Sequence, residues 1–208
     1  MHDFESLVKE RRSAIKFVEG IEIGDRELNE IFELVKFGPS AFNLQHTKYI
    51  VVRDPDIKQR IYEAAYKQFK VRTASAAILV LGYMDAHLDA PRINEGLLNL
   101  GVISKQEFEY EVTSVQSFYN QRGEIFKREE AIRNANLSAM LFMLAAKHKG
   151  WDTCPMIGFN PQAITEVLQV PDRYVPALLI TLGKEDTSKR RLRGYRKPVN
   201  EFVSYDYF

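Results

Sequence analysis

Residues 137–146, Leu-Ser-Ala-Met-Leu-Phe-Met-Leu-Ala-Ala, sit at the centre of a helical pattern running from 132 to 148. This stretch constrains the fold more than any other. It is apolar almost all the way round, so a helix built from it demands cover on every side. The core of one chain of 208 residues rarely surrounds a helix completely, which makes a dimer interface the expected second cover. Gly150 then stops the helix. Two further apolar runs, 76–83 and 175–182, have strand length and carry no polar alternation, as buried central strands do.

The rest of the chain supplies the layers around those strands. Residues 3–12 read as a short helix with Phe4, Leu7 and Val8 on one face. Asp25 is a good N-cap, and Leu28, Ile31, Phe32 and Val35 follow at helical spacing up to Gly38. Residues 49–53 form a β-branched run closed by Asp54, Pro55 and Asp56, after which a helical pattern runs through Ile57, Ile61 and Ala65. A further helix is expected over 161–170. Helices alternate with strands, but the connections are too irregular for a doubly wound sheet. We therefore expect an α+β fold with a central mixed sheet flanked by helices. It forms one domain over 1–208, with a polar helical excursion at about 90–120 packed on the core.

Two segments near the start carry the first chemistry. Arg11, Arg12 and Ser13 put two guanidinium forks and a hydroxyl into three positions, which suits a phosphate or another oxyanion. The same residues could equally end a helix in solvent, where cations are favoured. Pro39, Ser40, Asn43 and Gln45 lie in a turn of small residues with two side-chain amides that donate and accept at once. A cationic clamp and an amide-lined loop are what holding a phosphorylated heterocycle requires.

Together with Trp151 to Phe159 and with Gly194, Tyr195, Arg196, Lys197 and Pro198, these segments resemble the nitroreductase family of FMN-dependent NAD(P)H oxidoreductases. The family has an Arg-Arg-Ser motif after its first helix and a Pro-Ser-x-x-Asn-x-Gln loop after its second. Four motifs in the right order cover most of the chain. The resemblance implies the same α+β fold, an intertwined homodimer, and FMN at the subunit interface. It also implies that Arg11 and Ser13 contact the FMN phosphate while Arg12 reaches the ribityl chain or ring. Pro39, Ser40, Asn43 and Gln45 would lie along the flavin, serving the partner chain's cofactor in the dimer. Gln68 and Lys70 would face its pyrimidine edge, where a cation stabilises the anionic reduced ring. Pro155, Met156, Ile157 and Gly158 would offer backbone N–H groups to its central nitrogen. Arg196 matches the terminal phosphate ligand, and Lys184 is a weaker candidate of that kind.

Two positions depart from the family pattern. Ile15 stands where a Lys or Arg is common, and Ile157 where an acidic residue is common. Lys16 could replace the first only if the backbone twists. The 189–197 run, with six cations in nine residues, reads by itself as a nucleic-acid patch, a solvated face or an attractor for NADPH phosphates. The net charge of +1 gives no support for a general polyanion surface. The one cysteine, Cys154, is a buried thiol sooner than a nucleophile, and fits a reducing cytoplasm. The four histidines are scattered without metal-ligand spacing, so no metal is expected. No Gly-x-Gly-x-x-Gly follows a strand, which argues against a Rossmann nicotinamide site. No apolar run approaches the roughly 20 residues that span a bilayer.

The expected activity is NAD(P)H-driven reduction of small nitroaromatic or quinone-type acceptors through the flavin by ping-pong hydride transfer. Alternatives on the same fold are a flavin carrier or sensor and a flavin-consuming or dehalogenating enzyme. Phe108, Tyr110, Phe118 and Tyr119 of the excursion would wall the substrate pocket.

Overall fold

The computed structural model describes residues 3–190 and 192–208. A four-stranded sheet in the order β1-β2-β4-β3 forms its centre, built from β1 (Thr47–Val52), β2 (Ala76–Tyr83), β3 (Asp152–Met156) and β4 (Tyr174–Gly183). All three pairings are antiparallel. The expected mixed sheet is thus antiparallel in its strands, and its parallel link is the isolated bridge between Ser13 and Thr153 at the outer edge of β3. That bridge brings the N-terminal segment to the sheet.

The two inner strands are apolar without alternation because helices cover both faces. Ile78, Val80 and Ile180 pack against α2 (Asp25–Val35) and the end of α6 (Lys105–His148), where Ile31, Phe142 and Ala146 are fully buried. Leu79, Leu81 and Leu179 face α3 (Pro55–Ala64) and α7 (Pro161–Val167), with Ile61 and Ile164 beneath them. Each such side chain contributes about 2 kcal/mol by leaving water. At Gly82, a Cβ would lie 2.5 Å from the Ala131 carbonyl oxygen of α6, so only glycine lets the helix backbone sit directly on β2.

Several boundaries move for local reasons. The N-cap of α2 is Gly24, whose N–H is accepted by the Glu27 carboxylate at 3.2 Å, and Asp25 stands in the first turn. Asp54 caps α3, its carboxylate accepting from Ile57 N–H at 2.9 Å with Pro55 in the first turn. Residues 4–10 form α1 (Phe4–Glu10), which buries none of its side chains. A short α4 (Phe69–Thr73) takes Gln68 as its N-cap.

The excursion consists of α5 (Ala90–Asn99) and the first part of α6, which starts at a capping box between Ser104 and Glu107. Gly123, at φ 74° and ψ −175°, breaks the helical path of α6. The excursion has its own apolar cluster of Ala86, Ala90, Val115 and Tyr119, closed by Leu44 from the loop before β1.

Beyond the break, α6 contains the apolar stretch from which cover on every side was expected. Ala139, Phe142, Met143 and Ala146 are buried against the sheet, while Leu137 is 52% and Met140 42% exposed. With Leu141 and Leu144 part-buried beside them, these residues form a stripe at helical spacing that one chain leaves open to solvent. Among the described residues no helix is long and apolar enough to cross a membrane.

Candidate functional site

The segment after α1 runs along the outside of β3. The Ala14 N–H donates to the Thr153 carbonyl at 3.0 Å, beside the Ser13–Thr153 bridge. Arg11 is thereby turned inward: its Nη1 is buried and has no hydrogen-bond partner among the described residues. Burial is the largest influence lowering its pKa, followed by repulsion from Arg193 and then Arg196. A part-buried guanidinium with one unpartnered nitrogen and two cations near it is unfavourable by itself, and an oxyanion among them would reverse the sign.

The C-terminal segment supplies those two cations. Arg193 folds back to donate to the carbonyls of Lys9 and Arg11, and Arg196 donates to the carbonyls of Gly194 and Tyr195 at 3.1 and 2.9 Å. Arg190 pairs with the buried Glu185. Arg190 and Arg193 are thus tied to segments outside the run, whereas Arg196 bonds only within its own turn and stays exposed. Arg191 lies outside the described residues. Arg193 was not singled out from sequence, because in a run of cations nothing marks the one that folds back.

Lys16 does not replace the missing cation of position 15. Its Nζ pairs with Asp186 at 2.9 Å, and the Asp186 N–H donates to the Lys16 carbonyl. These contacts hold Lys16 to the 186 segment, and Ile15 is exposed. Lys184 also serves elsewhere. It donates to the Gly150 carbonyl and stands over the Trp151 ring at 4.1 Å from its centroid, while the indole N–H donates to Glu27 at 3.2 Å.

At the far end of β3, Gln68 donates through Nε2 to the Gly158 carbonyl at 2.6 Å. Two segments 90 residues apart in sequence thus form one wall, with half-buried Lys70 the second residue of α4. Within 155–158, Met156 is buried in the core and Ile157 is 81% exposed. What this loop can offer to a ligand is backbone, together with a surface isoleucine. From Thr153 to Gly158 is five residues, or roughly 15 Å of extended chain. Arg11, Ser13 and Arg196 stand at one end of that edge and Gln68 and Gly158 at the other, with half-buried Arg12 adjacent to the first group.

Pro39, Ser40, Asn43 and Gln45 are somewhere else. Their loop leads into β1, at the opposite edge of the sheet. Thr47 aligns with Gly82 and so with the Val175 end of β4, whereas Thr153 aligns with Leu182 at its other end. Three strand spacings of about 4.8 Å separate the edges. One chain does not bring the two groups together.

The loop itself is tightly held. Phe42, Asn43 and Gln45 take φ of 51°, 54° and 50°, a region that costs a non-glycine residue about 1 kcal/mol or more, least for asparagine. Ser40 Oγ accepts from Gln45 N–H at 2.9 Å, and the Ala41 N–H donates to Asn134 Oδ1 at 2.8 Å. The Phe42 ring meets Phe118 edge-on at 5.3 Å. His46 Nε2 lies 3.1 Å from the Tyr119 hydroxyl, and His87 stacks on the Tyr119 ring at 5.3 Å. Burial holds the His46 pKa down to about 4 and pushes Tyr119 up to about 12. Of the four aromatics expected as a pocket wall, Phe118 touches the loop, Tyr119 is buried beneath it, and Tyr110 is 73% exposed. Phe108 is half-buried near the start of α6.

Fold and sequence agree on the class of protein. A model of the nitroreductase family matches residues 8–184, and the chain belongs to that family. It is 56% identical over 205 residues to a Bacillus subtilis (strain 168) protein provisionally named NAD(P)H nitroreductase MhqN, covering 99% of this chain and 100% of that one. The crystal structure of a B. subtilis protein provisionally called nitroreductase ydfN superposes with a TM-score of 0.96 at 55% identity, over 97% of this chain and 98% of that one. A provisionally assigned nitroreductase from Exiguobacterium sibiricum 255-15, in complex with FMN, gives 0.90 at 27% identity, over 99% and 98%.

Proposed function

We propose that this protein is an FMN-dependent NAD(P)H oxidoreductase that reduces small nitroaromatic or quinone-type acceptors. The observation carrying this reading is the buried, unpartnered Nη1 of Arg11 facing Arg193 and Arg196. Such a cluster fits the phosphate of FMN, and a relative of this fold is described in complex with FMN. Arg11, Ser13 and Arg196 would hold that phosphate, with Arg12 beside it. Gln68, Lys70 and the backbone of 155–158 would orient the ring at the other end of β3, and Lys70 would place a cation near its pyrimidine edge. The chemistry FMN supplies when bound is a two-electron relay between NAD(P)H and an acceptor entering the same slot afterwards, hence ping-pong kinetics. No side chain of this protein need act as nucleophile or base.

Pro39, Ser40, Asn43 and Gln45 stand at the far edge of the sheet, so in this reading they complete the site of a second copy. The exposed stripe of Leu137 and Met140 is the apolar surface such a homodimer would bury. The visible spectrum of the purified protein with added FMN, before and after anaerobic NADPH or NADH, tests the proposal. A flavin spectrum that bleaches supports it. Flavin that stays oxidised with both nucleotides points to a carrier, and no flavin uptake rejects the reading.

A further inference from the structure

Asn134 is a polar side chain on the core-facing side of α6, only 4% exposed, and no step of the proposed reaction uses it. Its amide orientation is fixed from both ends. Nδ2 donates to the Glu130 carbonyl at 2.8 Å and to the Glu130 carboxylate at 3.2 Å, which leaves Oδ1 aimed at the 39–45 loop. There it accepts the Ala41 N–H at 2.8 Å across 93 residues of sequence. The residues that follow, Phe42, Asn43 and Gln45, all take positive φ. Backbone in that region persists only where its surroundings over-determine it. The loop's other hydrogen bonds, from Gln45 N–H to the Ser40 hydroxyl, from Asn43 N–H to the Ser40 carbonyl and from Leu44 N–H to the Ala41 carbonyl, are internal to it. Phe42 and Leu44 meet α6 through side chains alone, so among the described residues the Asn134 bond is the hydrogen bond that ties the 39–45 backbone to that helix.

We infer that Asn134 is a positioning residue: by holding the Ala41 N–H it fixes the strained 39–45 loop in the shape that presents Ser40, Asn43 and Gln45 to the cofactor. This rests on the proposed FMN reading for its last step only. The tether itself is a property of the chain and is measurable without flavin. Two replacements of similar size separate the tether from mere packing. Asn134→Leu loses both the donor to Glu130 and the acceptor for Ala41, whereas Asn134→Asp keeps the acceptor and, buried beside the Glu130 carboxylate, holds a proton in the donor's place.

The experiment is hydrogen–deuterium exchange on the flavin-free protein, followed by FMN titration, for wild type and both variants. Asn134→Leu is expected to speed exchange of the 41–46 amides about tenfold, while β2 and β4 keep their protection. It should weaken FMN binding by about tenfold, the scale set by leaving one buried N–H unpaired. Asn134→Asp should recover a substantial part of both losses. Unchanged exchange at 41–46 in Asn134→Leu overturns the inference, as does changed exchange with unaltered FMN affinity. Equal losses in the two variants also overturn it, because packing and not the acceptor would then be at work. A wild-type protein that takes up no FMN would reject the functional reading and with it the cofactor step, while the exchange data still decide whether the tether exists.

Discussion

Along the outer edge of β3, Arg11, Arg193 and Arg196 gather cations around a buried nitrogen that the described residues leave unpartnered. At the edge beyond β1, the 39–45 loop is strained in its backbone, yet neutral hydrogen bonds and ring contacts hold it throughout. The first region is electrostatically unfavourable until an anion joins it. The second is complete as folded and simply presents its groups outward. A binding site divided in this way gives one end the affinity for a phosphate and the other the shape of a wall. The two ends lie at opposite edges of one sheet, so one chain does not bring them together, and under the proposed function a second copy would.

The largest effect should come from keeping the two ends apart. Leu137→Asp with Met140→Asp places charge on the exposed stripe of α6, and light scattering should then find a monomer that has lost its FMN. A monomer that binds FMN with undiminished affinity would break the comparison, since one chain would then be enough. Next is Arg11→Leu, which should weaken FMN binding by about tenfold to a hundredfold, the range for a charge-assisted hydrogen bond. The same change should leave the melting temperature of the flavin-free protein unchanged or higher, because it removes a part-buried cation whose Nη1 has no partner and which Arg193 and Arg196 repel. Falling affinity together with falling stability would mean that Arg11 holds the fold and not the ligand.

The loop end can be tested through pH. His46 titrates near 4 when folded against an ordinary 6.5, so its neutral form is the one the fold accepts. Above pH 6.5 it adds no pH dependence. As pH falls from 6.5 towards 4, the unfolded chain takes up the proton first, and stability drops by up to about 3 kcal/mol before levelling. The groups acting on it are the Tyr119 hydroxyl, His87, which disfavours the proton, and Glu130, which favours it. In His46→Gln, thermal melts across that window should lose much of the slope; an undiminished slope would assign it to other groups. The smallest effect is expected at Lys16→Ala. With its Nζ turned to Asp186, FMN affinity should change less than about twofold, the scale of an exposed ion pair. A larger loss would sharpen the first region by adding a further cation to it.

Much of this was legible in the residues. Ala76 to Tyr83 is a buried strand because nothing in it tolerates water, and the helices on either side announced themselves by spacing and caps. Arg11, Ser13 and Arg196 stand out in sequence through the motifs they sit in, and their phosphate role belongs to the proposed function. Asn134 left a fainter signal: an asparagine on the core-facing side of a helix must find partners, but sequence does not say where. Arg193 left none, since every cation of its run looks alike until one folds back on the Lys9 and Arg11 carbonyls. Lys184 stands beside two acidic residues in sequence, and the fold sends it to Trp151 and Gly150.

What the sequence determined by itself is everything that depends on short-range pattern: which segments are apolar, where helices begin, which side chains can bind a phosphate. Only the tertiary structure decided which of those side chains meet. It put the 11–14 segment along β3, joined Gln68 to Gly158, and set the 39–45 loop at the opposite edge. Strand order and helix cover depend on burying the whole chain at once, and contacts between residues 90 positions apart leave no local trace for a reader of the sequence to find.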